Sequence, residues 1–144
     1  MTKEVLMQYN DLLKEADEIR ERINFTQAQI DRLEAEGLVV DKVRGGYGGT
    51  QNYRIEGFPY PEYHRKKAKL HMLKATLESS EADVIDKLAE VETFLSGIQD
   101  SYIRRIIRLR VIERLPWAEI AGRMGVSTSE YSIKKQFYRF LGEK

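Results

Sequence analysis

The chain has 144 residues, about one domain's worth, of which 42% are hydrophobic and 33% charged. That balance predicts a modest core under a very polar surface, and it favours thin helical layers over one deep globule. With no Cys and only two His, the chain has no disulfide framework, no thiolate nucleophile and no thiolate zinc site, so neither metal nor cofactor is expected. No apolar run approaches the roughly 18 residues of a membrane span, and the opening MTKEVLMQYN lacks the apolar stretch of a signal peptide. The expectation is a reduced, cytoplasmic location with no membrane contact.

The net charge of +1 is a sum over unlike parts. Residues 1–36 carry 5 basic and 9 acidic side chains, whereas residues 95–144 carry 10 and 5. Such asymmetry points to a polyanion-binding end in the last third. In the first part, Tyr9, Leu12, Ala16, Ile19, Ile23, Thr26, Ile30 and Leu33 alternate steps of three and four, a heptad seam on a helix of about 30 residues. Six of the ten glycines and two of the three prolines then crowd into residues 37–61, which predicts an insert that breaks the helix. Val39, Val40 and Val43 on one side of its glycine-rich tip, and Tyr53 and Ile55 on the other, suit a short β-ribbon or an ordered loop. The tip GGYGGT lacks the Gly-Lys-Ser/Thr ending of a phosphate-binding loop.

After the insert, Leu70, Leu73, Leu77, Val84, Leu88, Val91 and Leu95 repeat the heptad rhythm, with no apolar residue serving the seam at Ser79-Ser80-Glu81. Two narrow stripes of matching length predict an antiparallel helical hairpin over residues 1–95, either as an internal core or as an oligomerisation coiled coil. The cluster Arg65, Lys66, Lys67 and Lys69 opens the second helix. In an antiparallel pair it lies near Asp31, Glu34 and Glu36 and can serve as their charge partners, or it forms a secondary basic patch for nucleic acid.

Residues 96–144 carry the specific pattern. SYIRRIIRLRVIERLPW has an apolar side (Ile103, Ile106, Ile107, Val111, Ile112, Leu115) and a basic one (Arg104, Arg105, Arg108, Arg110), and Pro116 ends that helix. In PWAEIAGRMGVSTSEYSIKKQFYRFL, Ala121, Gly125, Val126 and Ser127 have helix-turn-helix spacing: a small residue for close approach, a glycine for the left-handed turn, a valine for the corner. Ser127-Thr128-Ser129-Glu130 reads as a capping box that starts a second helix near Thr128, running to Leu141. On that helix Thr128, Ser129, Ser132 and Gln136 are the candidates for base edges in the major groove. Arg123, Ser127, Lys134, Lys135 and Arg139 are the candidates for phosphates.

The stretch RRIIRLRVIERLPWAEIAGRMGVS resembles region 4 of bacterial sigma factors over roughly residues 98–141. An acidic N-terminal helix, a DKVRG-type loop leading through YRIEGFPYPEY, a second long helix and then this domain together resemble the RinA/ArpU-type regulators of phages and prophages. That resemblance implies control of late or packaging genes, promoter DNA as ligand and the host bacterial cytoplasm as location. One departure is that Tyr131, Tyr138 and Leu141 form the stripe expected to face the core, while Ile133, Phe137 and Phe140 form a second. Two apolar stripes predict two partners, the second being the helical hairpin or another copy of the chain.

The resulting expectation is an all-α protein, a long antiparallel hairpin with a loop or ribbon insert at 37–61, followed by a C-terminal helix-turn-helix domain. Its expected ligand is double-stranded DNA, read as a homodimer or higher homo-oligomer or with help from RNA polymerase, since one helix reads only a few base pairs. Rival expectations are a small-terminase-like packaging adaptor and an RNA-polymerase-binding adaptor with little DNA affinity. Catalysis is not expected: His64 and His71 have no nucleophile at motif spacing, and the carboxylates are scattered.

Overall fold

The computed structural model describes residues 3–43, 57–125 and 127–142, without the side chains of residues 38–43. Among the described residues the chain is all-helical. The elements are α1 (Glu4–Val43), α2 (Tyr60–Ser96), α3 (Ser101–Ile107) continued by a π-helical stretch (Arg108–Ile112), α4 (Trp117–Met124) and α5 (Glu130–Phe140). Two compact units form, one from Glu15–Glu81 and the other from Met1–Lys14 with Ala82–Lys144. These boundaries differ from a division at residue 95, because the ends of both long helices share a core with the C-terminal helices.

α1 is 40 residues long and runs through Gly37. Gly37 occupies the seam position seven residues after Ile30 and is itself buried. One helical glycine costs about 1 kcal/mol, which a helix of this length absorbs. Val39, Val40 and Val43, expected on one side of a ribbon, are therefore helical. The glycine tip, Tyr53 and Ile55 lie outside the described residues. At the other end of the insert the reading holds more closely: α2 begins at Tyr60, with Pro61 in its first turn, where a missing N–H leaves no hydrogen bond unmade.

In the Glu15–Glu81 unit the two helices pair antiparallel. Arg20 meets Glu81 at 3.0 Å, the Lys66 Nζ donates to Gln29 Oε1 at 3.3 Å, and the Tyr63 hydroxyl donates to Glu34 Oε1 at 3.1 Å, so partners descend α2 as they ascend α1. Ala16, Ile19, Thr26 and Ile30 are buried along the seam of α1, as are Leu70 and Ser80 along that of α2. Ser80 thus fills the seam position that had no apolar residue. The exposed ion pairs contribute at most about 1 kcal/mol each, whereas each fully buried Ile or Leu contributes about 1.5–3 kcal/mol.

The second unit has the larger core. Leu6 and Tyr9 of α1, Val91 and Leu95 of α2, Ile106 and Ile107 of α3, Trp117 and Ile120 of α4, and Ile133 and Phe137 of α5 form one buried cluster. Asp100 caps α3 by accepting the Tyr102 N–H at 2.9 Å. The helix that follows ends before Pro116, in a left-handed turn at Arg114 (φ 57°). There the Leu115 N–H donates back to the Leu109 carbonyl at 3.1 Å, which satisfies one of the helix's last carbonyls.

Thr26 Oγ1 and Ser80 Oγ are buried without a hydrogen-bond partner. A desolvated, unpaired hydroxyl costs about 1–3 kcal/mol. Thr26→Val keeps the shape and removes the hydroxyl, so it is expected to stabilise the fold by about 1 kcal/mol in urea denaturation. A loss of stability would contradict the seam geometry.

Candidate nucleic-acid interface

The α4–α5 pair is built from short-range rules. Pro116 is the N-cap of α4, with extended backbone, and Glu119 stands in its first turn, where a carboxylate complements the helix dipole. Ala121 is buried, giving the expected close approach. Gly125 ends α4 at φ 145°, a conformation that L side chains rarely adopt, and a Cβ there would press on Thr128 Oγ1 at 3.3 Å. Val126 lies outside the described residues.

The start of α5 differs from the capping-box reading. Ser129, not Ser127, is the N-cap: its Oγ accepts the Ser132 N–H at 3.1 Å, and α5 begins at Glu130. Ser129 has the extended backbone a cap needs (φ −93°, ψ 150°). Burial sets the rotation of α5. Ile133, Phe137 and Phe140 share one face of α5, and Ile133 is 0% and Phe137 7% exposed. Phe137 packs edge-on against Trp117 at 5.1 Å between centroids, and Phe140 against Phe94 of α2 at 6.5 Å. The second apolar stripe is therefore the core stripe, and the end of α2 is among its partners. Tyr131, expected to face the core, is 74% exposed.

Tyr131, Lys135 and Arg139 are exposed at helical spacing on one face of α5, with Ser132 half-buried beside them. The Lys135 Nζ lies 5.9 Å from the Tyr131 ring centroid. Gln136 is half-buried, and its Nε2 donates to Ser132 Oγ at 3.2 Å, which ties two of the predicted base readers together. Thr128 and Ser129 precede the helix, in the turn and at the cap. Among the described residues no carboxylate lies within ion-pair distance of Lys134, Lys135 or Arg139. Arg123 is paired with Glu119 at 3.3 Å, and Ser127 is exposed in the turn.

The arginines of the preceding helix are mostly engaged within the fold. Arg104 donates to the Ile98 carbonyl at 3.1 Å, and Arg105 to the Arg123 carbonyl at 3.3 Å, so each satisfies a carbonyl near the end of a helix. Arg108 pairs with Glu92 at 2.9 Å. Arg110 donates to the Leu115 carbonyl at 3.0 Å and stacks over the Trp117 ring at 4.4 Å. Arg114 acts on Tyr9, whose phenol is pushed above its ordinary pKa chiefly by burial, with Arg114 opposing and Glu92 reinforcing the shift.

In the other unit, Lys66 is half-buried between Gln29 and Glu62 (3.7 Å), and Lys67 lies over the Tyr63 ring at 5.3 Å. Arg65 is exposed, and Lys69 borders a shallow groove with Glu18, Glu21 and Phe25. Among the described residues no group of three His, Asp or Glu side chains could hold a metal ion. No helix among them is long and apolar enough to cross a membrane. No family model, curated protein or solved structure matches the chain.

Two substitutions distinguish the two caps. Ser129→Ala is expected to cost about 1 kcal/mol in denaturant unfolding and Ser127→Ala close to nothing; the reverse order would restore the capping box.

Proposed function

We propose that the chain is a sequence-specific DNA-binding regulator of transcription, of the RinA/ArpU phage and prophage kind. In this reading α4 and α5 form a helix-turn-helix and α5 enters the major groove. The observation that carries it is the outer face of α5, where Tyr131, Ser132, Lys135 and Arg139 line up and no described carboxylate competes for the cations. A helix that is apolar toward its own core and cationic, aromatic and hydroxylic toward solvent has the chemistry a duplex demands. Lys135 and Arg139 neutralise phosphates, and Lys134 and Arg123 stand beside them for the backbone. Tyr131 joins the predicted Ser132 as an early base reader, while Thr128 and Ser129 stand in the turn and at the cap before the helix. Eleven residues of helix read a short site, so two copies of the chain, or a polymerase partner, supply the remaining specificity.

A gel-shift with DNA from around the chain's own gene tests this. Salt-sensitive binding is expected, with Lys135→Ala plus Arg139→Ala lowering the slope of log affinity against log salt by about 2. Tyr131→Ala is expected to leave the fold intact and narrow the preference for that DNA over unrelated duplex. Absence of salt-sensitive binding, or binding untouched by the double substitution, would overturn the reading. In the latter case an adaptor that docks on polymerase becomes the better account.

A further inference from the structure

Charge reverses halfway along α2. Residues 64–77 carry five basic side chains and no acidic one, whereas residues 78–92 carry six acidic and one basic. An isolated helix gains nothing from this segregation, because it is opposite charges four residues apart that stabilise it. Pairing with α1 does not call for it either. Of the five cations only Lys66 is half-buried, held by Gln29 and Glu62, while Arg65, Lys67, Lys69 and Lys74 are exposed.

The same helix exposes two apolar patches, one in each compact unit. In the Glu15–Glu81 unit, Ala68, Met72 and Ala75 are exposed, Met72 by 67%. In the other unit, Ala82, Ile85 and Ala89 are exposed, Ile85 by 66%. Steps of three and four keep each patch on one face of the helix, turned away from the buried Leu70 in the first case and Val91 in the second. A single exposed hydrophobic residue is ordinary. These two sets of three match each other when one is read backwards, four then three against three then four, and they stand in halves of opposite charge.

We propose that the two patches are the two halves of a homodimer interface, in which α2 of one copy packs antiparallel against α2 of a second. With Ala75 beside Ala82 of the second copy, Met72 meets Ile85 and Ala68 meets Ala89. The same register sets Lys74 beside Asp83 and Lys67 beside Glu90, and two-fold symmetry makes each contact twice. Among the described residues neither Lys74 nor Asp83 has an ion-pair partner, whereas Glu90 already holds Lys87 at 2.8 Å. The alanines let the helix axes come close, and the unbranched methionine adapts to the isoleucine. Duplex DNA fits the basic half and is repelled by the acidic one, and a uniformly charged partner protein has the same defect. A reversed second copy matches both halves. It would supply the second reading helix that a short DNA site calls for, but the interface does not rest on the DNA reading.

The test is sedimentation of the full chain over a range of concentrations at low and high salt. A monomer–dimer equilibrium is expected, weaker at high salt because exposed ion pairs are screened. Ala75→Glu puts a long acidic side chain at the closest approach and should leave a monomer. Its helix content by circular dichroism should not change, since position 75 is exposed and glutamate is a good helix former. Lys74→Glu and Asp83→Lys each replace two attractive contacts by two repulsive ones and should weaken association about tenfold, and the two together should restore it. A parallel pair sets Lys74 beside Lys74 and gains nothing from the exchange. Arg32→Glu, the same kind of charge change at an exposed position of α1, should leave association unaltered. A chain that stays monomeric at every concentration, an oligomer that survives Ala75→Glu, or an exchange that fails to restore association would each overturn the proposal. DNA binding is read separately by gel-shift, so either assignment can fail without the other.

Discussion

Phe137 lies edge-on against Trp117, with Ile133 one turn earlier fully enclosed, and this contact sets which side of α5 meets water. An eleven-residue helix has little stability of its own, since helices shorter than about 12–15 residues are marginal in water. Its existence and its rotation therefore come from what it buries. Aromatic pairs of this geometry contribute about 0.5–1.5 kcal/mol beyond the area they remove from water. Rotating α5 to bury Tyr131 instead would expose Ile133 and Phe137 together, at several kcal/mol by the cost of uncovering two large apolar side chains. The outward face of Tyr131, Ser132, Lys135 and Arg139 is the necessary complement of that choice.

Long-period features were legible in the sequence and local ones less so. The α1 seam from Tyr9 to Leu33 emerges as a line of buried and half-buried residues because a heptad repeated four times outweighs local exceptions. The same weight of repetition carries the helix through Gly37, which alone reads as a breaker. Ser80 could be assigned to the seam only by trusting position over polarity. At α5 two serines competed for the cap, and the capping-box spacing favoured Ser127 where Ser129 makes the cap. The signal for the buried face was present in the sequence: Ile133, Phe137 and Phe140 recur at helical spacing with larger apolar surfaces than Tyr131 and Tyr138 offer. A tertiary preference of several kcal/mol fixes the face, whereas the choice between two serine caps is worth only about 1 kcal/mol.

Charge behaves similarly. Residues 95–144 carry 10 basic side chains, but a count does not say where they point. Arg104 and Arg105 satisfy backbone carbonyls, Arg108 holds Glu92, and Arg110 stacks on Trp117. Each binds the C-terminal unit together and has less to offer a polyanion. The exposed cations with no described ion-pair partner in that unit concentrate on α5, which narrows the proposed interface to one face of one helix. The acidic seam partners of α1 and α2 lie mostly in the other unit, where Arg20, Lys66 and Tyr63 pair with them.

Because the chain contains no Cys, single cysteines can report on α5 without background. The most direct measurement is maleimide labelling of Tyr131→Cys and Lys135→Cys, with Phe25→Cys as an exposed reference in the other unit, in the absence and presence of DNA from around the gene. All three should label rapidly in the free protein, and DNA should protect positions 131 and 135 while leaving position 25 reactive. Slow labelling at 131 in the free protein would mean that α5 is rotated toward the capping-box register, and rapid labelling at both α5 positions in bound complexes would mean that this face does not meet DNA.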